Sequence, residues 1–439
     1  SVFSPADNHL ITAGTTAAAF HNRNFLPDDR SSNPNSPLLS SNTRSISLLP
    51  NPNPDPAFQI HRSARIFTKP TKYVFQIAEN GTHIVRLHFY PFVSPGTDLY
   101  GAVFHVIVNG YVVLTNFSAS GPVIKEYFVP VDDNDLVIRF VPSEKGKLGF
   151  VNAIEVISAP RDLIPDTVGE FYGLTKQALE TVYRVNVGGR KVTPFNDTLW
   201  RTWVPDDGFF VSGDVAERVH FGGRVYYQKG GASREVAPDF VYNTARVISS
   251  RNASVPDVNM TWVFPVPDGY QYFVRLHFCD IASMALYFIN FNVFLNGELA
   301  AERVDLSSIW NSLAAPIYKD FVVDGSSSGV LKVSVGPSNE SQSFSIDGIL
   351  NGVEIMKMNN SMGSLAGEAC VGMVLKNWRG REVGILVPFL AVVCLMLSLS
   401  ALLHRRTVGT NGTSVWTRLP TNSPELSFKQ SDPQLTSKV

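Results

Sequence analysis

Short runs of alternating apolar and polar residues dominate the first 360 or so positions of the chain. Representative runs read HVIVNGYVVL from His105, NFNVFLNGEL from Asn290 and GVLKVSVG from Gly329. Because successive side chains of a strand point to opposite faces, this alternation predicts half-buried β-strands. The Asn-Gly pairs inside the first two runs predict tight hairpins. The pattern therefore indicates an all-β protein.

Several of these strand-like segments occur twice, in the same order along the chain. VRLHF recurs without change at Val85–Phe89 and Val274–Phe278. Other pairs differ by a few residues: Phe25–Asp29 with Trp203–Asp207, Ser63–Phe67 with Thr244–Ile248, and Asn152–Val156 with Asn351–Ile355. Ordered matches with small insertions predict that one β-sandwich, jelly-roll-like, was duplicated. We expect domain A at 1–160, a linker at 161–179 and domain B at 180–357, each large enough for a single core.

The polar positions of these repeats show no catalytic or metal-binding pattern. Strand alternation predicts that His88 and His277 point outward. A metal-binding role is not expected for them, since no other metal ligand lies at a suitable spacing. The pairs Asp28–Asp29 and Asp206–Asp207 are better explained as turn and cap residues than as glycosidase carboxylates. The G-x-S-x-G match at 325–329 lies between two strand patterns, whereas a hydrolase elbow leads into a helix. We predict no catalytic, cofactor-binding or metal-binding residue.

Composition excludes some functions and leaves one cysteine question open. The formal charge of −1 lacks the strongly basic character that is typical of nucleic-acid-binding proteins. Three cysteines are present, and Cys394 lies inside an apolar stretch. Cys279 and Cys370 either form a disulfide between a domain B strand and the following stalk or remain two separate buried thiols, because sequence does not show whether their Cα atoms approach closely enough.

An uncharged stretch near the C-terminus predicts a membrane span. Val383–Leu403 has no charged residue and, at about 1.5 Å per residue, is long enough to cross the hydrocarbon core. We expect a stalk at 358–382 before it and a disordered cytoplasmic tail at 404–439 after it. The opening segment SVFSPADNHL is not a secretory leader, so we interpret the chain as mature or trimmed.

Glycosylation sequons indicate the orientation of this span more clearly than the flanking charges do. One sequon, at Asn411, follows the span, and seven precede it: Asn80, Asn116, Asn196, Asn252, Asn259, Asn339 and Asn359. Because N-glycans are added to surface loops of secreted domains, we expect the N-terminal side to be extracellular. The predicted protein is a single-pass type I membrane glycoprotein.

Five motifs carry a resemblance: FSPADNHLI at the start, the FLPDD and WVPDD pair, YRVNVGG at 183–189, FVRLHFCDI at 273–281 and GSLAG at 363–367. Taken in order, they resemble the malectin-like domains of plant receptor kinases, in particular the FERONIA/THESEUS-type (Catharanthus receptor-like kinase) family. The resemblance implies tandem malectin-like domains of the galactose-binding-like fold in a plasma-membrane receptor that senses the cell wall. It also implies secreted cysteine-containing peptides of the rapid alkalinisation factor class as ligands, a lipid-anchored co-receptor, and pectin or another wall polysaccharide as a further partner.

The sequence departs from this family in two places. A serine/threonine kinase normally follows the span, but no kinase motif follows it here, so this chain is not expected to be an enzyme. Thr12, Ala13 and Gly14 also stand where the family usually has a cysteine. The chain is either a cut-down form or a natural receptor without a kinase, which would act as a decoy or co-receptor.

A lectin-like wall sensor that binds carbohydrate or pectin is the alternative function. Its stacking residues would come from five aromatic candidates, for which we regard packing roles as the better explanation: Trp200, Trp203, Tyr226, Tyr227 and Trp310. We therefore assign no ligand-binding residue from the sequence. An extracellular hydrolase, the third possibility, has no supporting group of residues.

Overall fold

The computed structural model describes residues 3–14, 16–39, 43–48, 56–249, 259–339, 346–379 and 382–408. Nearly all regular structure up to residue 160, the N-terminal half, is β-strand. These strands are β1 (Asn8–Thr12), β2 (Ala18–Phe20), β3 (Arg23–Pro27), β4 (Thr43–Ser47), β5 (Ser63–Phe67), β6 (Thr71–Gln76), β7 (Gly81–Phe89), β8 (Val93–Ser94), β9 (Thr97–Asp98), β10 (Phe104–Val108), β11 (Tyr111–Phe117), β12 (Val123–Val131), β13 (Asp135–Pro142), β14 (Gly149–Val151) and β15 (Ala153–Ser158).

Residues 180–358, the C-terminal half, are built in the same way after a short connecting hairpin. The remaining strands are β16 (Thr167–Val168), β17 (Phe171–Tyr172), β18 (Leu179–Asn186), β19 (Val204–Pro205), β20 (Glu217–His220), β21 (Thr244–Ser249), β22 (Met260–Pro265), β23 (Gln271–Phe278), β24 (Phe291–Leu295), β25 (Glu298–Val304), β26 (Ile317–Asp324), β27 (Val330–Pro337), β28 (Ile346–Leu350) and β29 (Gly352–Met358). The all-β prediction is confirmed.

Helices are short until the C-terminal end of the described chain. The α-helices are α1 (Asp239–Tyr242), α2 (Leu306–Trp310), α3 (Val371–Arg379) and α4 (Glu382–Val408). Short 3-10 helices occur at Pro56–His61, Leu99–Gly101, Leu174–Lys176, Pro194–Asn196 and Gly213–Val215. Among the described residues, no helix combines the length and the apolar composition that a membrane span requires. The span predicted over Val383–Leu403 is thus not confirmed, and α4 continues past its predicted end.

The small sheets of the two halves correspond strand by strand. One four-stranded sheet has the order β11-β10-β13-β6, and the other has the matching order β25-β24-β27-β22. Two three-stranded sheets, β4-β5-β14 and β20-β21-β28, correspond in the same way. Both Asn-Gly hairpins form as predicted, because Asn109 and Asn296 adopt the positive φ that such turns need (47° and 52°). Residues 325–329 connect β26 to β27, as predicted for a loop between strands.

One long sheet runs through both halves. Its strand order is β2-β3-β1-β15-β7-β12-β18-β29-β23-β26, and β19 adds to β18. The crossing point is the antiparallel pairing of β12 with β18, where Tyr127 and Phe128 lie opposite Glu180 and Leu179. Each half has its own apolar core, yet Ser1–Trp378 forms one compact unit. The continuous sheet explains why the halves do not separate.

The segment that follows β29 returns to the N-terminal half. The backbone N–H of Val112 donates to Gly363, and that of Leu365 donates back to Val112, which adds an extended segment beside β11. Leu365 is buried in the core of the N-terminal half. The Trp378 indole then donates to the carbonyl of Pro142 (3.1 Å) from α3. The predicted stalk therefore packs against the first half through Gly363–Leu365 and α3.

This path corrects the disulfide that we considered between Cys279 and Cys370. Cys279 is fully buried among apolar residues of the C-terminal half, such as Trp203 and Val241, whereas Cys370 directly precedes α3. All three cysteines, each within the described residues, are free thiols. Burial raises the pKa of the Cys279 thiol well above its usual range, so this thiol is unreactive. The alternative was two separate buried thiols. The thiols are separate, but only Cys279 is buried, whereas Cys370 is half-buried.

Candidate ligand cavity at the junction of the two halves

A row of alternating charges crosses the long sheet on one face. From β3 to β26 its members, here called the charge row, are Arg23, Glu155, Arg86, Glu126, Arg184, Glu354, Arg275 and Asp320. Registered pairs place Arg86 opposite both Glu155 and Glu126, and Glu354 opposite both Arg184 and Arg275. Opposite charges that face each other across strands stabilise a sheet. The row is almost completely buried, so it belongs to the interior.

Contacts within the charge row are short and continuous across the junction. Arg86 Nε donates to Glu126 Oε2 (2.6 Å), and Arg184 Nη2 donates to Glu126 Oε1 (2.8 Å). Since Arg86 belongs to the N-terminal half and Arg184 to the C-terminal half, Glu126 joins the two halves. A second link is made by Arg86 Nη2, which donates to the carbonyl of Leu199 (2.7 Å).

The two strand histidines are buried, which corrects the prediction that they point outward. Both have 0% exposed surface. His88 Nε2 lies 2.9 Å from Glu155 Oε1, and His277 Nε2 lies 3.1 Å from Glu354 Oε2. The prediction placed them on the correct face of the strand but missed that loops and neighbouring strands cover this face as well.

The first aspartate of each PDD motif is also buried, so the turn-and-cap interpretation was wrong for this residue. Asp28 accepts hydrogen bonds from the Gly14 N–H, from Arg65 and from the Tyr73 hydroxyl. Asp206 makes the equivalent set with Gly188, Arg246 and Trp262.

The second aspartate of each motif remains at the surface. Asp29 accepts from Ser31 in a turn, as predicted, and Asp207 is 57% exposed. The two carboxylates of each PDD motif therefore have different roles, one inside the fold and one in contact with solvent.

Neighbouring arginines keep the buried carboxylates ionised. Burial raises the pKa of Glu126, but Arg184 and Arg86 outweigh it and lower the pKa to about 2. The same balance holds the pKa of Glu155 and of Glu354 well below the usual range. Because each of these glutamates meets two positive or hydrogen-bonding partners, all three stay ionised at any physiological pH.

Burial lowers the pKa of His277, although Glu354 opposes this effect. Below about pH 6.5 this histidine is therefore protonated in the unfolded chain but stays neutral in the folded chain. The free energy of unfolding falls as pH decreases through this range. We expect His277→Gln to reduce the slope of unfolding free energy against pH by about 0.7 kcal/mol per pH unit near pH 6.5, where the unfolded histidine is half protonated, and by no more than about 1.4 kcal/mol per pH unit at lower pH. Urea unfolding at several pH values measures this slope. The exposed His220→Gln is the control, and an unchanged slope in His277→Gln would contradict the assignment.

A cavity of about 440 Å³ opens to solvent above the charge row. Residues 194–204 of the C-terminal half reach over the sheet of the N-terminal half to form one wall. Aromatic side chains and charged groups share the lining, which includes Phe20, His21, Arg23, Arg86, His88, Glu126, Glu155, Tyr183, Arg184, Trp200, Arg201 and Phe209. The volume lies within the roughly 300–1,000 Å³ typical of small-molecule sites.

Only some of the aromatic candidates line accessible space. Trp203 is fully buried and packs 5.3 Å from His277, ring centre to ring centre, so its packing role is supported. Trp200 is half-buried in the cavity wall, with the Arg23 guanidinium 4.8 Å from its ring. Tyr227 and Trp310 are also half-buried, whereas Tyr226 is 53% exposed. These five side chains do not form one stacking platform.

The predicted glycosylation sites fall into three groups. Asn80, Asn116, Asn196 and Asn339 are exposed, as a glycan requires. Asn259 and Asn359 are half-buried, and the Asn359 side chain accepts from the Ala178 N–H (2.7 Å). Asn252 lies outside the described residues. The same described ranges contain no group of three or more His, Cys, Asp or Glu placed to hold a metal ion.

The family and its relatives agree with this architecture. A family model of the malectin-like domain matches residues 14–358. The probable receptor-like protein kinase At5g24010 of Arabidopsis thaliana is 43% identical over 413 residues, which cover 90% of this chain and 50% of that protein. Receptor-like protein kinase THESEUS 1 of the same plant is 38% identical over 396 residues, covering 87% of this chain and 45% of that protein. The chain thus spans about half the length of the curated relatives that it matches.

A solved structure extends the comparison to three dimensions. A crystal structure of the plant peptide RALF23 in complex with FER and LLG2 includes a chain that is 31% identical to this one, with a TM-score of 0.71. The match covers 83% of this chain and 99% of that chain. The described residues of our chain form this β-rich fold and contain no kinase domain. Since the family model covers most of the sequence, the chain belongs to the malectin-like domain family, and its relatives are receptor-like protein kinases of the FERONIA and THESEUS type.

Proposed function

We propose that the chain is the ligand-recognition part of a plant cell-surface receptor, and that it binds secreted cysteine-containing peptides of the RALF class together with a lipid-anchored co-receptor. The main support is the match to nearly the whole of a chain crystallised with RALF23 and LLG2. The two halves share one continuous sheet and a buried charge row. A rigid pair of this kind presents loops from both halves to a ligand in a fixed arrangement.

The proposal includes a domain arrangement and a location. Domain A (1–160) and domain B (180–357) are tandem copies of one malectin-like domain, joined by 161–179. Corresponding small sheets and matched buried residues support the duplication. A stalk (358–382), a single span (383–403) and a cytoplasmic tail (404–439) place the glycosylated domains outside the plasma membrane. The uncharged sequence of the span and the exposed sequons support this location.

Calorimetric titration of the glycosylated full chain with a RALF-type peptide, with and without the co-receptor, tests the recognition role. We expect micromolar or tighter binding that weakens between about 0.05 and 0.5 M salt, because attraction between a basic peptide and surface carboxylates is screened over about one Debye length. A peptide of the same composition in scrambled order is the control. If pectin fragments give a heat of binding and the peptide gives none, even with the co-receptor present, the peptide-receptor role would be contradicted. The protein would then be a carbohydrate-binding wall sensor.

A further inference from the structure

Three nitrogen atoms that lack hydrogen-bond partners lie in residues that line the junction cavity. Within the described residues, Arg23 Nε, Arg201 Nη2 and His21 Nδ1 are buried atoms with no partner in the protein. The Arg23 and Arg201 side chains are more than nine-tenths buried. Buried donors normally find an acceptor, and such unpaired groups call for a ligand, an ion or ordered water.

Backbone strain marks the same place. His21 and Trp200, which both line the cavity, adopt left-handed conformations with φ of 49° and 56°. Bulky residues rarely adopt this conformation, and strained residues cluster at ligand-binding sites. At Trp200 the strain accompanies the turn in which the preceding Leu199 carbonyl meets Arg86 and the indole meets Arg23. The positive φ of His21 belongs to the two-residue hairpin between β2 and β3, so the conformation of Trp200 is the strained feature that accompanies the unpaired donors.

The chemistry of the lining selects the ligand. An arginine nitrogen donates and cannot accept, so the missing partners are acceptor oxygens. A guanidinium group matches carboxylate and phosphate oxygens especially well. The rings of Phe20, Trp200 and Phe209 supply an apolar wall beside these donors. A compact oxyanion attached to a flat apolar group satisfies both features.

Charge balance limits the ligand to a small negative charge. Glu126 and Glu155 in the lining, with Asp197 and Glu354 behind it, balance the four arginines that line the cavity: Arg23, Arg86, Arg184 and Arg201. The charges of the protein groups around the cavity therefore sum to zero while His21 is neutral. His21 faces Arg23 and Arg86 as well as Glu155 and His88, and Phe195 packs on its ring. Protonation of His21 would add the positive charge that one anion neutralises.

We propose that this cavity binds a single carboxylate or phosphate group of a small molecule whose flat part packs against Trp200 and Phe20. This site is separate from the peptide-recognition role, and neither depends on the other. A free ring carboxylate, a uronate sugar and a phosphate share the oxyanion chemistry, so the test uses one probe for each source.

Thermal unfolding of the full chain with millimolar benzoate, galacturonate or inorganic phosphate tests the site. We expect at least one probe to raise the melting temperature, and the responding probe identifies the source of the oxyanion. Burial lowers the pKa of His21 in the free protein, and a bound carboxylate would favour its protonated form. For benzoate, we therefore expect a larger rise at pH 5.5 than at pH 7.5, because binding takes up a proton at His21. Absence of a rise with all three probes would overturn the proposal.

Two variants separate binding from folding. Arg23→Lys keeps the charge beside Glu155 but removes the unpaired Nε, and should weaken binding about tenfold or more. His21→Leu should remove the pH effect. The matched control, His220→Leu, changes an exposed histidine outside the cavity and should bind as the parent does. Equal affinity of Arg23→Lys and the parent would show that the bound probe uses another site and would also overturn the proposal.

Discussion

Replacement of Asp206 by alanine should lower the free energy of unfolding by about 3–5 kcal/mol. The change leaves the buried Arg246 guanidinium without its close ion partner, since Arg246 Nε donates to Asp206 Oδ2 at 2.5 Å. It also removes the acceptor of the Trp262 indole (2.9 Å) and of the Gly188 N–H (3.1 Å). Position 188 requires glycine, because a Cβ there would lie 2.3 Å from the Ala245 carbonyl oxygen. Urea unfolding followed by tryptophan fluorescence measures the loss.

The adjacent residue provides the matched control for this prediction. Asp207 is 57% exposed and pairs with Arg218, which is 49% exposed. Exposed ion pairs of this kind contribute about 0–1 kcal/mol, so Asp207→Ala should remain close to the parent. Asp28→Ala should reproduce the large effect in the N-terminal half, where Arg65 and Tyr73 lose the same acceptor. Similar effects of Asp206→Ala and Asp207→Ala would contradict the buried role.

The strands and hairpins were predictable because their signals are local. Alternation of apolar residues and the Asn-Gly turns depend on a few neighbouring positions, and Asn109 and Asn296 adopt the expected backbone. The two polar positions of VRLHF were placed correctly on one face of the strand. Their burial was not predictable from one strand, because it depends on what covers the sheet. In the structure, residue 199 from the other half contacts Arg86.

A signal for the buried charges was nevertheless present in the repeats. Arg86 and Glu155 recur as Arg275 and Glu354 at the same positions of duplicated strands. A charged pair that is retained in both copies, on neighbouring strands, predicts a cross-strand ion pair better than a solvated face. The paired aspartates Asp28 and Asp206 carried a similar signal.

Arg184 is where the comparison between the halves fails, and this failure is informative. In the N-terminal half, the strand that pairs with Glu155 presents Leu10, whereas in the C-terminal half the strand that pairs with Glu354 presents Arg184. This arginine reaches Glu126 across the junction. No pattern within either repeat predicts a contact between repeats. A cleft between the two domains could be expected from the duplication, but the residues that form the junction cavity, which depends on that contact and on 194–204, could not be predicted for the same reason.

Glu126→Ala should lower the free energy of unfolding by about 3 kcal/mol, the lower end of the range for breaking a buried ion pair. Glu126 accepts from Arg86, Arg184 and the Thr181 hydroxyl (2.6, 2.8 and 2.8 Å). The loss should not be larger, because Arg86 retains Glu155 and Arg184 retains Glu354. Glu126→Gln keeps the shape but removes the charge, and should lose nearly as much.

The pH dependence of Glu126 separates charge from packing in this prediction. Its pKa of about 2 lies below the unfolded value near 4.3, so it stabilises the fold above about pH 4.3 and this contribution disappears as pH falls toward 2. The difference between the parent and Glu126→Gln should therefore shrink over the same interval. Glu79→Ala, which removes an exposed partner of Arg161, should change stability by less than about 1 kcal/mol at every pH. A difference between parent and Glu126→Gln that stays constant from pH 6 to pH 3 would mean that shape, and not the arginines of both halves, makes Glu126 important.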